Sequence, residues 1–430
     1  MATLNKKDSR HTHEGAKAYS INPELQLRRT VCACLLWEDS FYEDGQSVAD
    51  RIAQTIPLVA PEKVAALAIE AREKFKLRHA PLLLAREMLR HEKHRGFVAN
   101  MLERIIQRPD ELTEFLAIYW KDGRQPLAAQ AKKGLAQAFS KFNEYQLAKY
   151  NRDGQVKLRD VLFLCHAKPA DKEQEALWKR LIDGELATPD TWEVALSGGA
   201  DKKATWERLV TENKLGALAL LRNLRNMESV NVERQLIRNA LAEMKVDRVL
   251  PFRFISAAKA VVNYEPELEQ VLFKCLSEKT KIIGETIILV DVSGSMDDRL
   301  SSKSDVNRMD AACGVAMIAR EIFDHIRVFT FSNMLVEVPP RRGFALRDAI
   351  ISSQRHGETN LGGAVENVPK CDRLIVITDE QSHTNVPEPH CRGYVINVAS
   401  YQNGIGYGPW THIDGFSEAV LDYIREYEAM

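Results

Sequence analysis

From Pro23 to about residue 278, apolar side chains recur at the three- and four-residue steps of an α-helix; beyond that point the rhythm changes to short continuous apolar runs. In ELTEFLAIYW the set Leu112, Phe115, Leu116 and Tyr119 falls at i, i+3, i+4 and i+7. Leu158, Val161, Leu162 and Cys165 repeat that spacing in KLRDVLFLCH. Each such helix has one face to bury. Breaks at Glu43-Asp44-Gly45, Leu58 to Pro61, Arg108-Pro109-Asp110, Lys121-Asp122-Gly123, Arg152-Asp153-Gly154, Lys168-Pro169 and Leu250-Pro251 divide the region into helices joined by short turns. Helix pairs stacked in a solenoid of HEAT or armadillo type account for the pattern. An irregular helical bundle is the alternative, because no fixed-period repeat is visible.

After Ser277 to Gly284 the pattern becomes strand, helix, strand. The run Thr286, Ile287, Ile288, Leu289, Val290 predicts a fully buried strand. Further strands are predicted at Ile326 to Phe331, Leu335 to Val338 (a short edge strand), Arg373 to Thr378 and Tyr394 to Val398. Helices are predicted at Met309 to His325, Phe344 to Ser353 and Ser417 to Tyr427. This alternation implies a doubly wound, mostly parallel, Rossmann-like α/β sheet.

The first of these strands ends at Asp291-Val292-Ser293-Gly294-Ser295, at a carboxyl edge where open α/β sheets place ligands. Asp291, Ser293 and Ser295 alternate along a tight loop that Gly294 allows to turn, so three oxygen donors can face inward. Thr359, ahead of a Gly-rich helix start, and Asp379, just past the strand LIVIT, are further oxygen donors able to reach the same edge. An all-oxygen set suits Mg²⁺ rather than Zn²⁺. The plainer reading is a Ser- and Asp-rich turn that caps the next helix.

The overall net charge of −1 conceals an asymmetry: residues 281–430 carry 14 Lys and Arg against 21 Asp and Glu, leaving 45 against 39 in the rest. Between Lys121 and Ala170 ten cations (Lys121, Arg124, Lys132, Lys133, Lys141, Lys149, Arg152, Lys157, Arg159, Lys168) face four acids, with Tyr145, Tyr150 and His166 interleaved. An excess spread over consecutive helices favours a phosphate-binding surface over a merely solvated face. Arg222 and Arg225, three apart, and Arg234 and Arg238, four apart, either line an inner surface or pair with local acids such as Glu233.

The seven cysteines are odd in number and scattered, which is expected of free thiols in a reducing compartment. Cys32-x-Cys34 and His11-x-His13 lack zinc spacing. No window nears a membrane span and the start has no secretory core, so a cytoplasmic protein without membrane contact is expected. Catalysis is not expected: there is no P-loop and no paired metal-bridging carboxylate cluster. The acid pairs Asp379-Glu380 and Asp297-Asp298 read as loop solvation.

Asp291, Ser293, Ser295, Thr359 and Asp379 together resemble the metal-ion-dependent adhesion site of the von Willebrand factor A domain, D-x-S-x-S followed by a distant Thr and Asp. The resemblance implies Mg²⁺ held by these five residues, with a sixth position open to an acidic partner group. The segments AREKFKLRHAPLLLA, RPDELTEFLAIYWKDGRQPLAAQAKKGLAQAF, VKLRDVLFLCHAKP and PFRFISAAK are similar to the TROVE module of the Ro autoantigen family, here in a shorter, bacterial or phage form. The implied organisation is a polar tail at 1–15, a HEAT-like helical RNA-binding region at 16–278 and an A domain at 282–430. The A domain would close the helices into a monomeric ring with a basic hole.

The implied partners are small Y-like noncoding RNAs on the outer surface, misfolded RNA ends in the hole, and an exoribonuclease. The RNA contacts fall to the ten cations named above with His166, Arg222 and Arg225. One departure is Leu158, apolar where the vertebrate pattern has a basic His. A different class is a scaffold whose A domain captures an acidic residue of a protein partner.

Overall fold

The computed structural model describes residues 22–32, 45–197, 199, 201–246, 249, 251–277, 279–300, 305–399, 409–414 and 419–428. The polar tail, His11, His13 and Cys34 lie outside them. The chain forms two compact units, one made of Pro23–Cys32 with Gln46–Ala200 and the other containing Asp201–Met430. Among the described residues no helix is long and apolar enough to cross a membrane.

The first unit is helical throughout: α1 (Pro23–Cys32), α2 (Gly45–Thr55), α3 (Pro61–Glu73), α4 (His79–Arg90), α5 (Glu92–Ile105), α6 (Pro109–Tyr119), α7 (Ala129–Phe139), α8 (Glu144–Tyr150), α9 (Leu158–Cys165), α10 (Lys172–Asp183) and α11 (Trp192–Ser197). The breaks read from sequence fall at helix ends for local reasons. Asn143 accepts from Gln146 N at 2.9 Å while the Gln146 side chain accepts from Asn143 N at 3.1 Å, a reciprocal cap that starts α8. Gly184, at φ 78°, ends α10 in the left-handed region. Helices pack on neighbours one and two places along the chain, α3 on α4 and α5, α5 on α7, α7 on α9, which is solenoid-like stacking. A Cβ on Gly134 would lie 2.8 Å from Leu102 Cβ, so α7 and α5 meet almost backbone to backbone.

In the second unit, α12 (Lys202–Thr211), α13 (Ala217–Ser229), α14 (Arg234–Ala242), α15 (Phe252–Ala260) and α16 (Glu265–Ser277) precede the sheet. The strands are β1 (Ile282–Asp291), β2 (Phe323–Phe331), β3 (Leu335–Glu337), β4 (Arg373–Thr378), β5 (Arg392–Asn397) and β6 (Thr411–Asp414). The interleaved helices are α17 (Arg308–Ile322), α18 (Gly343–Ile351), α19 (Leu361–Asn367) and α20 (Ala419–Glu428). The strand order is β3-β2-β1-β4-β5-β6, parallel except for the antiparallel edge strand β3. On one face Ile287, Leu289, Phe329, Leu374 and Val376 pack under Leu361, Ala364 and Val365 of α19. α17 covers the other face and is itself covered by α15, α16 and α18, which is why nearly all its residues are buried.

Two expectations are corrected here. The helix predicted to run to His325 ends at Ile322, because Phe323 already pairs with Ile282 as the first residue of β2. Strand β6, absent from the sequence reading, pairs in parallel with β5; its four residues are too few to show a period.

Candidate metal centre and nucleic-acid interface

The strand order reverses between β1 and β4, so the crevice beyond their carboxyl ends is the topological switch point of the sheet. Asp291 is the last residue of β1, and the register Val290↔Ile377 places Thr378 and Asp379 beside it. Asp291 is wholly buried. Its Oδ1 accepts from Ser293 N at 2.9 Å and its Oδ2 from Thr378 Oγ1 at 2.6 Å. The hydroxyls of Ser293 and Ser295 stand 3.3 Å apart. Gly294 N donates to Gly357 O at 2.9 Å, drawing in the loop that carries Thr359, while His383 N donates to Thr359 O at 3.0 Å. The five donors read from sequence therefore converge on one edge. Ser293, Thr359 and Asp379 are buried, and Ser295 is half-buried at the rim.

Two residues of this site were not legible in the pattern. Thr378 positions the Asp291 carboxylate, and its only sequence signal is adjacency to Asp379. Arg308, buried at the start of α17, donates to Asp379 Oδ2 at 2.8 Å and to Ser295 O at 3.2 Å. The acid pair Asp379-Glu380 is fully buried rather than solvating a loop, and this corrects the sequence reading. Asp297, by contrast, is exposed and pairs with His356 at 2.8 Å.

The donor set fits a hard divalent cation. Octahedral Mg²⁺ at ~2.1 Å from its ligands has adjacent ligands ~3.0 Å apart, close to the serine hydroxyl separation. Burial, with Asp379 nearby, pushes the Asp291 carboxyl up to about 7, a cost of uncompensated negative charge that a bound cation would offset. Asp291, Ser293, Ser295, Thr359 and Asp379 are the residues that would hold it.

The basic helices of the first unit sort into distinct places. Trp120, Arg124, Lys132, Phe163 and His166 line one hollow of about 450 Å³. Phe163 is 59% exposed, and the Arg124 guanidinium lies 5.1 Å from the centroid of the Trp120 ring. His166 ends α9 at φ 53°, a left-handed turn that brings its ring to the rim. A neighbouring hollow of about 590 Å³ shares Gln125 and is lined by Arg86, Arg90 and Arg95. Those three arginines escaped the sequence reading, although Arg86 and Arg90 stand four apart on α4. Arg86 and Arg90 both pair with Asp122.

Other predicted cations lie elsewhere. Lys149 and Arg152 line a third hollow with Thr188 and Pro189. Lys157 pairs with Asp153 at 2.7 Å and Arg159 approaches Asp160 at 4.0 Å. Lys141 donates to the carbonyls of Glu103 and Ile106 at the end of α5, and burial lowers its pKa. Lys121, Lys133 and Lys168 are exposed. Arg222 and Arg225 are exposed on α13 in the other unit, where Arg225 pairs with Asp305 at 3.0 Å. Leu158 is 1% exposed, a core residue with no route to a ligand.

The TROVE domain family model matches residues 23–184 and 179–288. Telomerase protein component 1 of Mus musculus is 33% identical over 230 residues, and that of Rattus norvegicus is 24% identical over 229; each match takes in 50% of this chain. The chain spans 8% of the length of these relatives. The crystal structure of Deinococcus radiodurans RO (RSR) protein has a similar fold, with a TM-score of 0.59 and 16% identity, covering 92% of this chain and 96% of that one. With the family model matched across both helical stretches and the start of the sheet, this chain belongs to the TROVE domain family, that of the Ro autoantigen.

Proposed function

We propose that the chain is the RNA-binding component of a ribonucleoprotein. The observation that carries this reading is the hollow where Trp120 and the exposed Phe163 stand beside Arg124, Lys132 and His166. Aromatic faces stack bases of any sequence, and adjacent cations hold the phosphates between them. The neighbouring hollow shares Gln125 with it and adds Arg95, while Arg86 and Arg90 there are paired with Glu87 and Asp122. Membership of the TROVE family supports the reading.

The finer form of the proposal rests on the resemblance to Ro proteins. The RNAs are small, Y-like noncoding species and the single-stranded ends of misfolded transcripts, bound in the cytoplasm by one copy of the chain closed into a ring. The role is quality control, processing or decay beside an exoribonuclease, and the chain binds rather than catalyses. The test is the affinity of the purified protein for a labelled single-stranded RNA across a salt series. A linear fall of log K with log salt, steep enough for several phosphate contacts, is expected. A flat response sinks the proposal.

A second reading concerns the edge at Asp291, and its specific support is the convergence of five oxygen donors with Ser295 at the solvent rim. We read it as a Mg²⁺ site that captures an acidic group of a protein partner. Arg308 already balances one of the two buried carboxylates, so a bound divalent ion leaves the site positive overall, which suits a carboxylate as the last ligand. Asp291→Ala should abolish Mg²⁺ binding measured by calorimetry and leave RNA affinity intact. Undiminished Mg²⁺ binding in that variant refutes the assignment.

A further inference from the structure

At the amino edge of the sheet, opposite Asp291, two cysteines and a histidine meet that neither reading above uses. The sequence places them 19 and 20 residues apart and offers no zinc-like spacing. Topology joins them: β4 and β5 run parallel in register, Arg373 beside Arg392, and Cys371 and Cys391 stand just ahead of these two residues. Their sulfur atoms are 3.4 Å apart, and His390 Nε2 lies 3.8 Å from Cys371 Sγ. All three potential ligand atoms fall within 4.8 Å of one another. Both cysteines are free thiols, half-buried against the apolar cluster under α19, whereas His390 is exposed.

These separations are those of a ligand shell. A tetrahedral Zn²⁺ bonded at ~2.3 Å to sulfur and ~2.0 Å to nitrogen holds two sulfurs ~3.8 Å apart, and a sulfur and a nitrogen ~3.5 Å apart. The Cys371–Cys391 and Cys371–His390 edges differ from these by a few tenths of an ångström, and the third, from Cys391 to the exposed His390, lies within 4.8 Å, so closure around an ion takes a movement of the His390 side chain. A thiolate is the form that ligates soft metals.

We propose that Cys371, His390 and Cys391 form a site for a thiophilic divalent ion, with Zn²⁺ the fitting choice and a fourth position open to water or to a partner's ligand. The sulfur and nitrogen donors reject Mg²⁺, just as the all-oxygen set at the other edge disfavours Zn²⁺, so one sheet carries a soft site and a hard site that do not compete. Binding displaces the protons of the thiols and ties the loop before β5 to the start of β4.

The test uses the full chain, reduced with a phosphine, stripped of metal by a chelator and titrated with Co²⁺. A thiolate-to-cobalt charge-transfer band saturating at one equivalent is expected, and Zn²⁺ should remove it by displacement. Cys371→Ser and Cys391→Ser should each abolish the band, and the exposed His390→Ala should weaken binding at least tenfold. Cys275→Ser, the double variant Cys32→Ser/Cys34→Ser and Asp291→Ala should leave it unchanged, with circular dichroism confirming that each variant folds. Absence of the band in the wild type overturns the proposal, as does its survival in Cys391→Ser. So does a Cys371–Cys391 disulfide formed in air by a protein whose reduced form takes up no metal.

Discussion

If bases stack in the hollow beside α9, Phe163→Ala weakens RNA binding without touching its electrostatics. Phe163 is 59% exposed, so truncation opens no core cavity, and the fold should lose no more than about 0.5 kcal/mol. Loss of one base–aromatic stack costs about 1–3 kcal/mol, which is roughly 5- to 150-fold in Kd. Because no charge is removed, the slope of log K against log salt should stay as in the wild type. Lys132→Ala, in the same hollow, should do the reverse: a moderate loss of affinity and a slope shallower by about 0.7 for a single strand. Fluorescence anisotropy of a labelled single-stranded RNA, repeated over a salt series for both variants, reads both quantities. Wild-type affinity in Phe163→Ala, or the same change of slope in both variants, would refute the stacking assignment.

The remaining predictions concern what holds the two units together internally. Glu111 is buried between Arg72, at 2.7 Å, and the backbone N–H groups of Gln107 and Arg108, at 2.7 and 3.2 Å. Glu111→Ala strands a buried guanidinium and should lower stability by about 3–5 kcal/mol in urea unfolding; a loss below about 1 kcal/mol contradicts this. Because burial outweighs Arg72 and raises the Glu111 pKa, the double variant Arg72→Met/Glu111→Leu should be much less damaging than the single one. In the second unit Glu428 of α20 accepts from Arg373 Nε at 2.6 Å and Tyr394 Oη at 2.8 Å. Burial opposes ionisation there, but Arg373 and Tyr394 outweigh it and lower the Glu428 pKa. That stabilisation is therefore complete above the ordinary carboxylate range and is lost as pH falls through the lowered value. Glu428→Gln should flatten the acid limb of the unfolding profile, and an unchanged limb counts against the pairing.

Periodicity is a local property, and what it encodes was readable. The stripes at Leu112 to Tyr119 and Leu158 to Cys165 are the buried faces of α6 and α9, and LIVIT is a central strand buried along its length. The motif around Asp291 was legible because three of its donors lie within five residues. Boundaries were less so: Phe323 is apolar enough to finish a helix, and only its pairing with Ile282 makes it the start of a strand. The cysteines were expected to be scattered free thiols; Cys165 and Cys313 are buried on separate helices, but Cys371 and Cys391 meet.

By itself, then, the chain order determined a helical region followed by an α/β sheet, a hard-cation motif at a strand's carboxyl end and a basic middle, because each is written in spacings of a few residues. Tertiary structure decided which residues share a site. Thr378 and Asp291 are 87 positions apart and touch because β1 and β4 pair in register at the point where the strand order reverses; Arg308 and Asp379 are 71 apart and touch because α17 packs across β1 and β4. Trp120 follows α6 and Phe163 lies on α9, and only the packing of the helices makes both line one hollow with Arg124 and Lys132. Register and packing are set by the summed burial of many distant side chains, and no short window of sequence contains that sum.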